Sequence, residues 1–194
     1  AFVGVVGRSS AESVAYFMLS LIPARFAVMV LFVVACFVSI AMGTSVGTIT
    51  LIVPIAAAVS DASGFGLPLC IGSVMGGAMF GDNLSFISDT TIAACNGQGC
   101  QMKDKFRENF FIALPAAVMT LVVIAILSFR TDIAGAVSQE YHLLQIVPYI
   151  LVLIGGIAGI NVFVVLIIGI LSGTVIMLAT GNTAPYDLLT NMGS

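Results

Sequence analysis

Two apolar stretches of this chain, each long enough to enter a bilayer, are broken near their middles by polar residues. The sharper break is Gly81-Asp82-Asn83-Leu84-Ser85-Phe86-Ile87-Ser88-Asp89-Thr90-Thr91, which sets two carboxylates between the apolar run 67–80 and Ile92-Ala93-Ala94. A charge near the bilayer centre costs at least ~2.5–3.5 kcal/mol on insertion scales, and carboxylates kept there usually serve function. The chain therefore cannot be a plain bundle of uninterrupted spans, and this motif is where its chemistry is expected.

Of 194 residues, 60% are hydrophobic and 8% charged, six basic and nine acidic. Soluble domains average about 25% charged residues. So few charges cannot cover so much apolar surface in water, and the class is an all-α polytopic membrane protein. The net charge of −3 is too thinly spread to define a partner, and nucleic-acid binding would need a basic patch that the chain lacks. Cys36, Cys70, Cys95 and Cys100 are scattered; Cys95-x4-Cys100 has no second pair for zinc, so all four read as packing residues or free thiols. No cofactor is expected. The start lacks the basic region of a signal peptide, and the chain reads as a piece of a longer protein.

A helix needs about 20 residues to cross ~30 Å of hydrocarbon. Residues 11–22 read as an interfacial or partly buried helix, with Ser10 or Ser13 as candidate caps. Residues 26–60 would make about 52 Å as one helix, too long for one span and short for two, so a re-entrant hairpin fits, its tip at 43–48 and Pro54 in the second arm. Irregular backbone at that depth survives only beside protein or a wet cavity. Asp61-Ala62-Ser63-Gly64 reads as a turn, 67–95 as a discontinuous helix, 96–108 as a polar loop, 110–129 as a span and 130–142 as a second loop holding Asp132, Glu140 and His142. Residues 143–180 read as two spans turning near Asn161. Lys103, Lys105 and Arg107 place loop 96–108 in the cytoplasm by the positive-inside rule; the expected location is the plasma (inner) membrane, with several passes.

Two polar clusters follow. One is Thr44, Ser45 and Thr48, flanked by Gly43 and Gly47. The other is Asp82, Asn83, Ser85, Ser88, Asp89, Thr90 and Thr91, opened by Gly81. Broken helices expose carbonyls at one half's end and N–H groups at the other's start. Carbonyls, hydroxyls and a carboxylate together suit a small hard cation such as Na⁺. A carboxylate there can take either H⁺ or Na⁺, the minimal chemistry of an antiporter. Other readings stand beside this one. Membrane Ser and Thr often serve as helix glue, and Gly43-x3-Gly47 has helix-packing spacing. Asp89 could cap a helix, and Asp82 could cap its own half-helix or pair with an Arg.

Residues 39–56, Ser-Ile-Ala-Met-Gly-Thr-Ser-Val-Gly-Thr-Ile-Thr-Leu-Ile-Val-Pro-Ile-Ala, resemble the first signature of the NhaC-type sodium/proton antiporter family. Residues 76–94, from Gly76-Gly77 through Asp82-Asn83 to Ala93-Ala94, look like its second. The resemblance covers about Phe26 to Phe129. It implies an inverted-repeat transporter, with 1–142 forming the first-repeat region and 143–194 beginning the second. Many relatives carry Lys where this chain has Asn83, which removes a fixed charge beside Asp82. The family also includes exchangers of small organic acids.

The leading expectation is a secondary Na⁺/H⁺ antiporter, not an enzyme. In it Asp82 and Asp89 ionise, while Thr44, Ser45, Thr48, Asn83, Ser85, Ser88 and Thr90 supply neutral groups and Gly43, Gly47 and Gly81 break the helices. The alternatives are a cation-coupled exchanger of organic acids or amino acids, and a membrane scaffold in which both clusters are glue. Expected partners are the lipid bilayer and the cation, and a homodimer is allowed. Asp82, at the end of a half-helix beside free carbonyls, is the better placed carboxylate.

Overall fold

The computed structural model describes residues 2–86, 88–131, 143–158 and 162–179, and every regular element among them is a helix. Helix α1 spans Phe2–Leu21, and a short 3-10 turn, Ala24–Phe26, leads into α2, Ala27–Met42. Helix α3 follows over Ser45–Ser63, then α4 over Leu67–Leu84 and α5 over Asp89–Gln98. Helices α6, α7 and α8 cover Met102–Arg130, Leu143–Ile157 and Val162–Ala179. The residues around Asn161, and Asp132, Glu140 and His142, lie outside the described residues or their described surroundings.

Helices α2 and α3 form a hairpin. Gly43 ends α2 in the left-handed region, φ 68°, where a Cβ is strained, and its N–H donates to Ser39 O. Thr44 then starts α3 from extended backbone, its hydroxyl accepting from Gly47 N–H. With the preceding turn, the first arm runs Ala24–Met42 and the second Ser45–Ser63, 19 residues each and apolar enough to cross a membrane. The arms outgrow 26–60 at both ends. Asp61, Ala62 and Ser63 are helical, and the turn comes at Gly64, φ 78°, where Ser60 Oγ–H also donates to Phe65 O at 2.6 Å.

Helix α1 is a single helix, because Arg8 to Glu12 interrupt its hydropathy and not its backbone. The segment 96–108 is mostly helical too. Helix α5 ends at Gln98 and Gly99, and α6 begins at Met102, so the charges Lys103 to Glu108 occupy its first turns. Helix α6 is long and apolar enough to cross a membrane, and its apolar part is largely exposed, including Phe111, Ile112, Val118 and Met119.

The core joins α2, α3 and α4. Val28, Leu31, Phe32, Ala35 and Val38 of α2 bury against Leu51, Ile52, Ala56 and Val59 of α3 and against Cys70 and Val74 of α4. Helix α1 packs on α3 and also touches α7 and α8, which pack on each other, with Tyr149, Val152 and Val165 continuing the core.

Candidate functional site

Small residues bring α2 and α4 into backbone contact. A Cβ added at Gly77 would strike Phe32 O and crowd Ala35, and one at Gly81 would strike Cys36 O and crowd Ser39 and Ile40 N. Such close approach is how helices pack where lipid offers no hydrophobic drive. The partners rise together along both chains, 77 with 32–35 and 81 with 36–40, so the two helices are parallel. Two hydroxyls sew them. Ser39 Oγ–H donates to Ala78 O at 2.6 Å, and Ser85 Oγ–H donates to Ile40 O at 2.8 Å.

This register puts the C-terminal ends of α2 and α4 side by side. Each end carries about half a negative charge from the aligned peptide dipoles, and several of its last carbonyls, Ile40 O and Asn83 O among them, take their bonds from outside the helix. Two such ends at one place favour a positive charge, and the Asp82 carboxyl lies in the last turn of α4. Asp82 is half-buried, and its Oδ1 is buried with no hydrogen-bond partner among the described residues. Buried polar atoms are nearly always paired, so this carboxylate oxygen stands out among the described residues. Among the described residues, no three Asp, Glu, His or Cys side chains come together to hold a metal. A cation here would meet one carboxylate and neutral oxygens.

The break lies between the end of α4 at Leu84 and the start of α5 at Asp89. Ser88, 1% exposed, takes the cap position of α5, but its hydroxyl pairs with Thr90 Oγ1 at 2.8 Å instead of bonding the helix start. Asp89 is therefore the first residue of α5 and not its cap; it is exposed, and an acidic residue in a helix's first turn complements the helix dipole. Thr90 is exposed, whereas Ser85 and Thr91 are buried. Asn83 is exposed, its side-chain N–H folded onto Met79 O at 3.0 Å.

Cluster one sits where α2 gives way to α3, at the same end of α2 that meets Ser85. Its hydroxyls are used locally. Thr44 caps α3, Thr48 is fully buried and donates to Thr44 O at 2.9 Å, and Ser45 is half-buried in the first turn. Gly43 lies at a turn, but Gly47 lies inside α3, which separates the Gly43-x3-Gly47 pair into two elements. Gly81 does not break a helix either. It lies inside α4 because its missing side chain admits the α2 backbone.

Several site residues escape sequence reasoning. Lys105, in the first turns of α6, donates from Nζ to Asn83 O at 2.6 Å and to Thr91 Oγ1 at 2.8 Å, spanning the break. Asn109 Nδ2 adds a bond to Asn83 O at 3.3 Å. Phe86 of the break stacks on Phe106 at 4.5 Å, and Phe106 neighbours Phe110. The i, i+4 spacing of Phe106 and Phe110 within a charged run was the available signal for a helix with one docking face.

Residues 1–129 match the model of the Na⁺/H⁺ antiporter family. An uncharacterized protein of Haemophilus influenzae is 33% identical over 128 residues, 65% of this chain and 25% of its own length. A malate-2H(+)/Na(+)-lactate antiporter of Bacillus subtilis is 26% identical over 135 residues, 63% of this chain and 29% of its own. The match thus spans less than a third of either curated relative. No solved structure matches. With about two thirds of its residues under the family model, the chain belongs to the Na⁺/H⁺ antiporter family.

Proposed function

We propose that this chain forms the cation-binding part of a secondary transporter that exchanges Na⁺ for H⁺, with Asp82 as the shared carrier. The observation that carries the reading is the unpartnered, buried Oδ1 of Asp82 beside two converging helix C-termini. A single carboxylate in that setting is neutralised by a proton or by a sodium ion, not by both. Exchange follows if the site faces one side and then the other only when neutralised. Ser85 and Ser88 are the buried hydroxyls at the break, and Thr44, Ser45 and Thr48 line the adjoining hairpin turn. Asp89, being exposed, fits an entry role better than a resident one.

The membrane on this reading is the plasma (inner) membrane, with the α5–α6 corner in the cytoplasm. Lys103 and Arg107 are exposed there and supply the positive-inside signal.

A second reading is exchange of a small organic acid coupled to the same cations, favoured by the similarity to the malate-2H(+)/Na(+)-lactate antiporter of Bacillus subtilis. One assay separates the two. The intact protein, reconstituted in vesicles with an internal pH dye and an imposed Na⁺ gradient, is tested with and without malate and lactate. Sodium-driven proton movement in buffer alone supports Na⁺/H⁺ exchange. Movement only when an organic acid is present supports the second reading, and none under either condition contradicts both.

A further inference from the structure

The break between α4 and α5 already holds a cation of the protein's own. Lys105 Nζ contacts Asn83 O, one of the terminal carbonyls of α4, and Thr91 Oγ1, in the first turn of α5. An ammonium is a compact charge with three donors on a flexible stem, and two of those donors are committed to opposite sides of the gap. The start of α6 is docked on the break by its neighbours, since Phe106 stacks on Phe86 and Asn109 shares the Asn83 carbonyl. The acceptors, a carbonyl at a helix end and a hydroxyl, are the oxygen types that a hard cation uses.

We propose that Lys105 is a positioning residue that ties the two half-helices across the break and competes, as an internal cation, for the oxygens beside Asp82. It rests on the reading of Asp82 as the cation carrier only for the second of these roles. A tethered positive charge on the carbonyl of Asn83, the residue after Asp82, weakens the hold on Na⁺ and speeds its release. Removing that charge while keeping the apolar stem leaves the ion bound more tightly and the halves less well held. A lysine that served only to stabilise the fold would show the opposite pattern in affinity, with a loosened and weaker site.

The test uses the intact protein with Lys105→Met and Lys105→Arg, each checked for folding by its elution profile and thermal unfolding in detergent. Spin labels at Met79 and Ala94, both exposed, bracket the break in a Cys100→Ser background. Their separation is read by pulsed electron resonance. Lys105→Met is expected to broaden the distance distribution and Lys105→Arg to restore most of it; superimposable distributions for Met and wild type overturn the tether. In vesicles, Lys105→Met is expected to lower the apparent KM for Na⁺ several-fold and to lower maximal exchange. An unchanged or raised KM overturns the competition. The spin-label measurement needs no transport, so a wild-type protein without sodium-driven proton movement would remove the Na⁺/H⁺ reading and still leave the tether decided.

Discussion

The α-carbon of Gly81 lies against the backbone carbonyl of Cys36, with no room for a methyl group between them. This contact fixes the register of α4 on α2 and so sets where Asp82, the next residue, can be. Gly81→Ala must push the helices apart. Overpacking of this kind costs about 1–3 kcal/mol, so thermal unfolding in detergent is expected to fall clearly. Transport should fall with it, because the shift displaces Asp82.

Ser39 tests the same interface without steric strain. Its hydroxyl bonds the Ala78 carbonyl of the neighbouring helix and is fully buried. Hydrogen bonds between membrane helices average about 0.6 kcal/mol and reach about 1.7. Ser39→Ala is therefore expected to cost stability at that scale, measured by unfolding, with a much smaller loss than Gly81→Ala.

At the hairpin turn, Gly43 and Thr44 have separate tasks. Gly43 holds φ 68°, and a residue with a Cβ there costs roughly 1–2 kcal/mol. Thr44 caps α3, and losing an N-cap hydroxyl costs about 0.5–2 kcal/mol. Both Gly43→Ala and Thr44→Ala should lower the unfolding temperature, while Thr44→Ser should retain the wild-type value. A wild-type melting curve for Thr44→Ala would remove the capping role.

How much of this was open to reading in the chain divides by range. The polar interruption at 43–48 marked the end of α2 because Gly and Thr act on local backbone, and the polar run after Gly81, with Asp82 and Asp89, marked the neighbourhood of the second break. Boundaries set by hydropathy fared less well. The expected start of the first helix at Ser10 or Ser13 falls inside α1, which begins at Phe2, and the charged stretch Lys103 to Glu108, which reads as loop, is helical. The role of Gly81 was misjudged for a related reason. A glycine can break a helix or admit a neighbour, and only the position of Cys36 decides between them. The seat of Lys105 depends on contacts 14 and 22 residues away, which no local pattern encodes.

Competition for one carboxylate has a signature in pH. If H⁺ and Na⁺ exclude each other at Asp82, the apparent KM for Na⁺ must rise as proton concentration rises, by up to tenfold per pH unit where the protonated form dominates. Maximal rates at saturating Na⁺ should change less. Initial rates in vesicles over a grid of pH and Na⁺ check this, and a KM independent of pH would mean that the two ions bind at separate places.

Asp82 itself provides the most direct measurement. Asp82→Asn preserves shape and burial but removes the exchangeable charge, whereas Asp82→Glu keeps the charge on a longer stem. Sodium-driven proton flux is compared for wild type, Asp82→Asn, Asp82→Glu and Asp89→Asn, all as intact protein in vesicles at matched protein content. The account predicts flux at background for Asp82→Asn, a reduced but measurable flux for Asp82→Glu, and substantial flux for Asp89→Asn. Wild-type flux in Asp82→Asn would contradict it.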